Sequence, residues 1–198
     1  IYDMELTIMN KNYFTNAVNI ARDICMKKLK EGDIAVDATM GNGNDTVFLA
    51  ELVGQSGKVY GFDIQEDAIK STQKKIIDKN LFKYVKLIND GHENMDNYIS
   101  QKVKLVIFNL GYLPKGKHYI TTNADTTLIA LKKALNLIDK NGVVILVVYY
   151  GHEQGKYEKI SLEKYSRKLD QRKYNVVKMD FINQINSPPM LMVIEKRH

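Results

Sequence analysis

Asp37-Ala-Thr-Met-Gly41-Asn-Gly43-Asn-Asp45-Thr46 lies between an apolar run, Ile34 to Ala38, and an apolar-periodic stretch, Asp45 to Val53. A strand that turns through two glycines into a helix opens a chain of alternating strands and helices. Outward from this turn the alternation continues. Strands are predicted at Lys58 to Asp63, Tyr84 to Asn89, Leu105 to Asn109 and Val143 to Tyr149, and helices at Thr15 to Leu29, Asp45 to Val53, Glu66 to Lys79, Met95 to Gln101, Ala124 to Asp139 and Glu158 to Lys173. Glu31-Gly32-Asp33 and Lys140-Asn141-Gly142 each put a glycine where a helix should stop before a strand. The pattern then changes. Val176 to Ile182 and Met190 to Glu195 are strand-like runs with no room for a helix between them, so they are expected to form an antiparallel hairpin. The expected fold is α/β and Rossmann-like: a mostly parallel seven-stranded sheet with a C-terminal antiparallel hairpin and helices on both faces.

The 198 residues suit one domain, 1–198, with a helical segment 1–30 packed on it. No apolar run approaches the roughly 20 residues that span a bilayer, so no membrane partner is expected. Ile1 to Lys11 mix Asp3, Glu5 and Asn10 with apolar side chains, unlike a signal peptide, and the missing initiator Met suggests a trimmed chain. Cys25 is the only cysteine, which excludes an internal disulfide and makes a reducing cytoplasm the simplest location. A net charge of +6 favours polyanionic partners, although a solvated lysine surface explains it equally well. Lys27-Lys28, Lys74-Lys75 and Lys132-Lys133 read as such faces.

Chemistry concentrates where the predicted strands end. The first loop, with Asp37, Thr39, Gly41, Asn42, Gly43, Asn44, Asp45 and Thr46, is the expected cradle: glycines admit a nucleotide-like ligand and the helix N-terminus offers free N–H groups. Alone, Gly-x-Gly reads equally as a structural turn. Asp63, in Val59-Tyr-Gly-Phe-Asp-Ile64-Gln65, stands 20 residues beyond Gly43, the spacing at which a carboxylate meets ribose hydroxyls. Helix capping is its bland alternative. Asn89-Asp90-Gly91-His92 either reads an adenine edge or makes an N-capped turn. A dinucleotide dehydrogenase is the rival reading, but its third glycine would fall at Thr46, which crowds a pyrophosphate. Asp37, at the strand end, is placed to take the amino group of a methionine moiety.

The fourth strand runs into Asn109-Leu110-Gly-Tyr112-Leu-Pro114. This resembles the Asn-Pro-Pro-Tyr-like motif of enzymes that methylate nucleobase amino groups, where the Asn oxygen accepts from the target nitrogen and the ring stacks on the base. Asn109 and Leu110 would also touch the cofactor. A strand end with an aromatic plug is the alternative. His118 and His152 lack clustered ligands at metal spacing, so no metal site is expected. His152 follows the fifth strand and reads equally as a site residue or a surface loop.

Together with Ile120-Thr-Thr122, Tyr150-Gly-His152 and Asn183-Gln-Ile-Asn186-Ser-Pro188-Pro189, these motifs resemble the bacterial family long labelled putative rRNA methylases, some assigned as tRNA 5-aminomethyl-2-thiouridine methyltransferases. The resemblance covers nearly the whole chain beyond the first helix. It implies a class I fold, S-adenosylmethionine as cofactor, and methylation of the aminomethyl nitrogen of a wobble uridine in the tRNA anticodon loop. The chain departs from the family at Lys115-Gly-Lys-His118, where Gly-Gly-Asp-Lys is usual, so an acidic residue is lost.

The reaction needs a neutral amine lone pair in line with the methyl group, while an aliphatic amine is mostly protonated near neutrality. The expected roles are Asn109 holding the amine, Tyr112 packing on the uracil, and water or His152 taking the proton; Asn183, Asn186 and Pro188 are expected on the substrate side. Two further readings stay open at this point, an rRNA or small-amine methyltransferase and a non-catalytic RNA-binding protein. Monomer and homodimer are both compatible with the sequence.

Overall fold

The computed structural model describes residues 14–111 and 121–197. Tyr112, Leu113, Pro114 and the stretch Lys115 to His118 lie outside the described residues. The elements run α1 (Ala17–Lys28), β1 (Ile34–Asp37), α2 (Asn44–Val53), β2 (Lys58–Phe62), α3 (Glu66–Asp78), β3 (Val85–Ile88), a 3-10 helix (His92–Asn97), β4 (Val103–Leu110), α4 (Ala124–Leu137), β5 (Ile138–Val148), α5 (Glu153–Ser166), β6 (Tyr174–Met179) and β7 (Met190–Lys196).

These strands form one sheet in the order β3-β2-β1-β4-β5-β7-β6, in which β1 to β5 are mutually parallel. The expected hairpin is present: β7 pairs antiparallel with β5, and β6 pairs antiparallel with β7 at the sheet's edge. Strand periodicity decides the two cores. Leu105 and Ile107 of β4 face one layer with Ala17, Ile20 and Cys25 of α1 and Val47 of α2, while Val106 and Phe108 face the other with Met95, Leu131 of α4 and Leu162 of α5. Burial on both faces explains why β4 and β5 read as almost unbroken apolar runs. α1 starts sharply because the Asn16 side chain accepts the Asn19 N–H at 2.8 Å.

The boundaries differ from expectation in instructive places. α5 starts at Glu153, five residues before the predicted Glu158, and stops at Ser166 rather than Lys173. Gly155 sits in its first turn, where any side chain would collide with the Tyr149 carbonyl. The predicted helix Met95 to Gln101 is a 3-10 helix at His92–Asn97. α4 hands over to β5 at Ile138, and Asn141, not Gly142, takes the left-handed backbone (φ 56°). Gly142 is needed for space, since its Cβ would lie 2.8 Å from the Asp139 carbonyl. No helix among the described residues is long and apolar enough to cross a membrane.

Candidate active site

Five parallel strands ending at one edge bring five loops together, and a cavity of about 840 Å³ opens there. Its wall takes Thr39 to Asn42 and Asp45 from after β1, Asp63 to Gln65 from after β2, Asp90 to Glu93 from after β3, and Asn109 and Gly111 from β4. Tyr149 and His152 follow β5, while Asn186 and Ser187 reach in from the β6–β7 connection.

The half beside β1 to β3 is built from backbone donors and carboxylates. Gly41 and Gly43 have φ of 52° and 75°, which L side chains rarely adopt, and a Cβ on Gly43 would run into Thr72. Asp63 ties this turn to β2: one carboxylate oxygen accepts the Gly41 N–H at 2.8 Å and the other the Gln65 N–H at 2.9 Å. Each oxygen keeps a second lone pair, so the carboxylate can also accept from two ribose hydroxyls. Asp90 is held by Asn94, Tyr98 and the Gly91 N–H, and these bonds lower its pKa. His92 is buried, which lowers its pKa and keeps the ring neutral. Its Nδ1 lies 3.1 Å from the Ala38 carbonyl and must carry the proton, so Nε2 is an acceptor, and it has no partner among the described residues. A pocket edged by ribose-competent carboxylates and a buried, unused acceptor fits an adenosine-bearing ligand.

The half beside β4 and β5 is organised around Asp45. One oxygen accepts the Asn109 side-chain N–H at 2.7 Å, and the other accepts Arg22 Nη2 at 2.8 Å and Nε at 3.1 Å. A carboxylate only accepts, so it fixes which end of the Asn109 amide is nitrogen and leaves Oδ1 as the free acceptor. The Asn109 N–H is itself held by Thr39 Oγ1 at 2.6 Å. Arg22 also stacks over Phe48, 5.1 Å from the ring centroid.

Several expected ligand residues stand behind the wall. Asp37 is fully buried and accepts from Thr46 Oγ1 at 2.7 Å and from the Thr39 N–H at 3.3 Å. Burial, and then the nearby Asp45 charge, push its pKa up to about 7. Asp45, not Asp37, is thus the carboxylate that reaches the cavity beside the first loop. Thr46 and Leu110 are also buried, and neither they nor Gly43 lines the cavity. Asn44 and Asn42 are exposed at the rim, with Asn44 held by Lys75. His152 caps α5: its Nδ1 accepts the Gly155 N–H at 3.0 Å, which puts the neutral ring's proton on Nε2. That leaves it no lone pair for an amine proton. Asn186 lines the cavity, whereas Asn183 and Pro188 do not.

The sequence reading missed Arg22, whose partner Asp45 is 23 residues away, and Tyr149. It also missed Glu158, which looks like an exposed helix start and is instead buried against Thr122 and Thr127. Thr121 and Thr122 were visible only through the family motif.

The family model described as "Putative rRNA methylase" matches residues 59–195. A chloroplastic tRNA (mnm(5)s(2)U34)-methyltransferase of Arabidopsis thaliana is 34% identical over 192 residues, spanning 92% of this chain and 70% of the relative. The crystal structure of a putative rRNA-methylase from Clostridium thermocellum superposes with a TM-score of 0.91 at 51% identity, covering 92% of this chain and 98% of that one. SMU.1697c of Streptococcus mutans, a putative methyltransferase in complex with SAH, gives 0.85 at 41% identity, covering 92% and 99%. With the class I sheet order and the cavity described above, these place the chain in the "Putative rRNA methylase" family, as an enzyme that transfers methyl groups from S-adenosylmethionine.

Proposed function

We propose that the protein methylates the exocyclic aminomethyl nitrogen of 5-aminomethyl-2-thiouridine at the wobble position of tRNA. The observation that carries this reading is the Asn109 amide, whose Oδ1 is set toward acceptor duty by the Asp45 carboxylate at 2.7 Å. An amine nucleophile needs just such an acceptor to orient its N–H and aim its lone pair. The Arabidopsis relative is named for a tRNA wobble uridine, which supports the same substrate.

S-adenosylmethionine supplies an electrophilic methyl group on a sulfonium. Asp63 would hold its ribose, Asp90 and His92 its adenine side, and the first loop its remaining polar groups. Asn109 accepts from the amine, and Asp45 offsets the positive charge that develops on the attacking nitrogen. Because His152 spends its Nδ1 lone pair on the α5 cap, cavity water is the acceptor for the proton the amine must lose first. Tyr112 is proposed to pack on the uracil. An anticodon loop suits this site because its unpaired bases can be splayed out without opening a duplex. The single, buried Cys25 is compatible with the cytoplasm, where we place the enzyme.

The test is nucleoside mass spectrometry on tRNA carrying the aminomethyl precursor, incubated with the purified protein and S-adenosylmethionine, with rRNA as competitor. Conversion to the N-methyl nucleoside is expected. Methyl incorporation into rRNA and not tRNA would overturn the substrate.

A further inference from the structure

The segment between β4 and α4 is closed at its base by one main-chain hydrogen bond, from the Thr122 N–H to the Gly111 carbonyl at 3.1 Å. Thr122 also lines the cavity, and its side chain donates to Oε2 of Glu158 at 2.8 Å, while Thr127 donates to Oε1 at 2.6 Å. Glu158 is fully buried, and desolvation raises its pKa although both hydroxyls oppose the shift. Burying an acid without a cation is costly. Here it fastens α5 to the start of α4 and, through Thr122, to the end of β4.

What that anchor presents is Thr121. Thr121 lines the cavity, and its buried Oγ1 has no hydrogen-bond partner among the described residues. Such a hydroxyl is costly to bury unless something bonds to it. It follows β4, as Gly111 does, and so belongs with Asn109 near the end of β4, in the acceptor half, rather than to the loops after β1, β2 and β3.

We propose that Thr121 contacts the substrate, its hydroxyl hydrogen-bonding a polar group of the target nucleotide, and that Glu158 is a positioning residue acting through Thr122. This rests on the RNA substrate proposed above.

The experiment measures methyl transfer into total RNA and, by calorimetry, S-adenosylmethionine binding. Thr121→Val should lower kcat/KM for RNA about tenfold, the scale of one lost hydrogen bond to a substrate, with cofactor Kd within about twofold of the parent. Thr121→Ser, which restores the hydroxyl, should recover most of it. Thr122→Val should show the same split between turnover and cofactor affinity. Thr127→Val removes an equivalent hydroxyl from the same carboxylate without touching the cavity, so it should lower Tm and leave kcat/KM within about twofold. Parental kcat/KM in Thr121→Val, failure of serine to rescue, or equal kinetic loss in Thr122→Val and Thr127→Val would overturn the proposal. Activity confined to rRNA would instead overturn the wobble substrate alone, since the variants are compared on whichever RNA the parent methylates.

Discussion

Replacing Asp37 by Asn tests whether this buried carboxylate is a structural cost accepted beneath the active site. Its folded pKa is about 7 against 3.8 ordinarily, so native protein keeps the proton in a range where unfolded chain has lost it. The unfolded state then binds fewer protons, and stability falls as pH rises from about 4 to about 7, after which the loss is complete. The gap corresponds to about 4 kcal/mol at pH 8. Asn carries no charge to desolvate and can still accept the Thr39 N–H, while the Thr46 hydroxyl can turn to accept from its amide. Weakening those bonds returns about 1–2 kcal/mol. Asp37→Asn should therefore be about 2–3 kcal/mol more stable than the parent at pH 8, with the advantage shrinking to nothing or reversing near pH 4. Urea unfolding of both proteins at several pH values checks this, because groups common to both cancel in the difference. A difference that is flat across pH 4 to 8 would refute the reasoning. Cofactor affinity in the same variant tests the expected contact with the methionine amino group: a large loss would restore that role to Asp37.

Asp63→Ala should weaken S-adenosylmethionine binding by about 1.5–3 kcal/mol, the range for a charged hydrogen-bond partner, and unchanged affinity in a folded variant would remove the ribose role. Asp45→Asn places an amide against the Asn109 amide, letting Asn109 turn and leaving Arg22 without its ion pair. Turnover should drop at least about tenfold in single-turnover assays; parental rates would show that the orientation of Asn109 does not matter. Asn186→Ala should lower turnover on RNA more than cofactor affinity, and the reverse ranking would move that residue to the cofactor half.

The sheet and its hairpin were legible because their signals are local: the apolar runs of β4 and β5 between helix-period stretches, and a 183–189 stretch too short and too broken for a helix. The first loop stood out by its two glycines between a strand and a helix, although that pattern alone reads equally as a structural turn. Boundaries failed where tertiary space overrode local preference. Gly155 lies inside α5 at a point where no side chain fits beside the Tyr149 carbonyl, and Asn141 takes the turn conformation expected of its neighbour. Sequence order named loops that line the cavity but could not rank two acids eight residues apart. Asp37 ends β1 with its side chain in the core, and Asp45 opens the next helix toward the cavity. Only packing separates them, as it alone brings Arg22 and Glu158 into the argument.

The charge distribution connects the cavity to turnover. The chain carries a net charge of +6, yet the cavity wall holds Asp45, Asp63, Asp90 and Glu93, with Arg22 paired to the first of them. For the RNA substrate proposed above, a surplus of lysines elsewhere would draw a phosphate backbone toward the protein while the acidic wall keeps phosphate out of the pocket. The same wall favours a sulfonium and would favour the proposed aminoalkyl group, both cationic before reaction. Methyl transfer removes the sulfonium charge, so the spent cofactor loses an attraction that the fresh one has. Arg22 pairs with the carboxylate beside Asn109, so Asp45 orients the amide with its charge partly offset while Asp37 lies buried nearby. The raised pKa of Asp37 acts in the same direction: below about pH 7 it holds its proton, so the floor of the site carries less negative charge there.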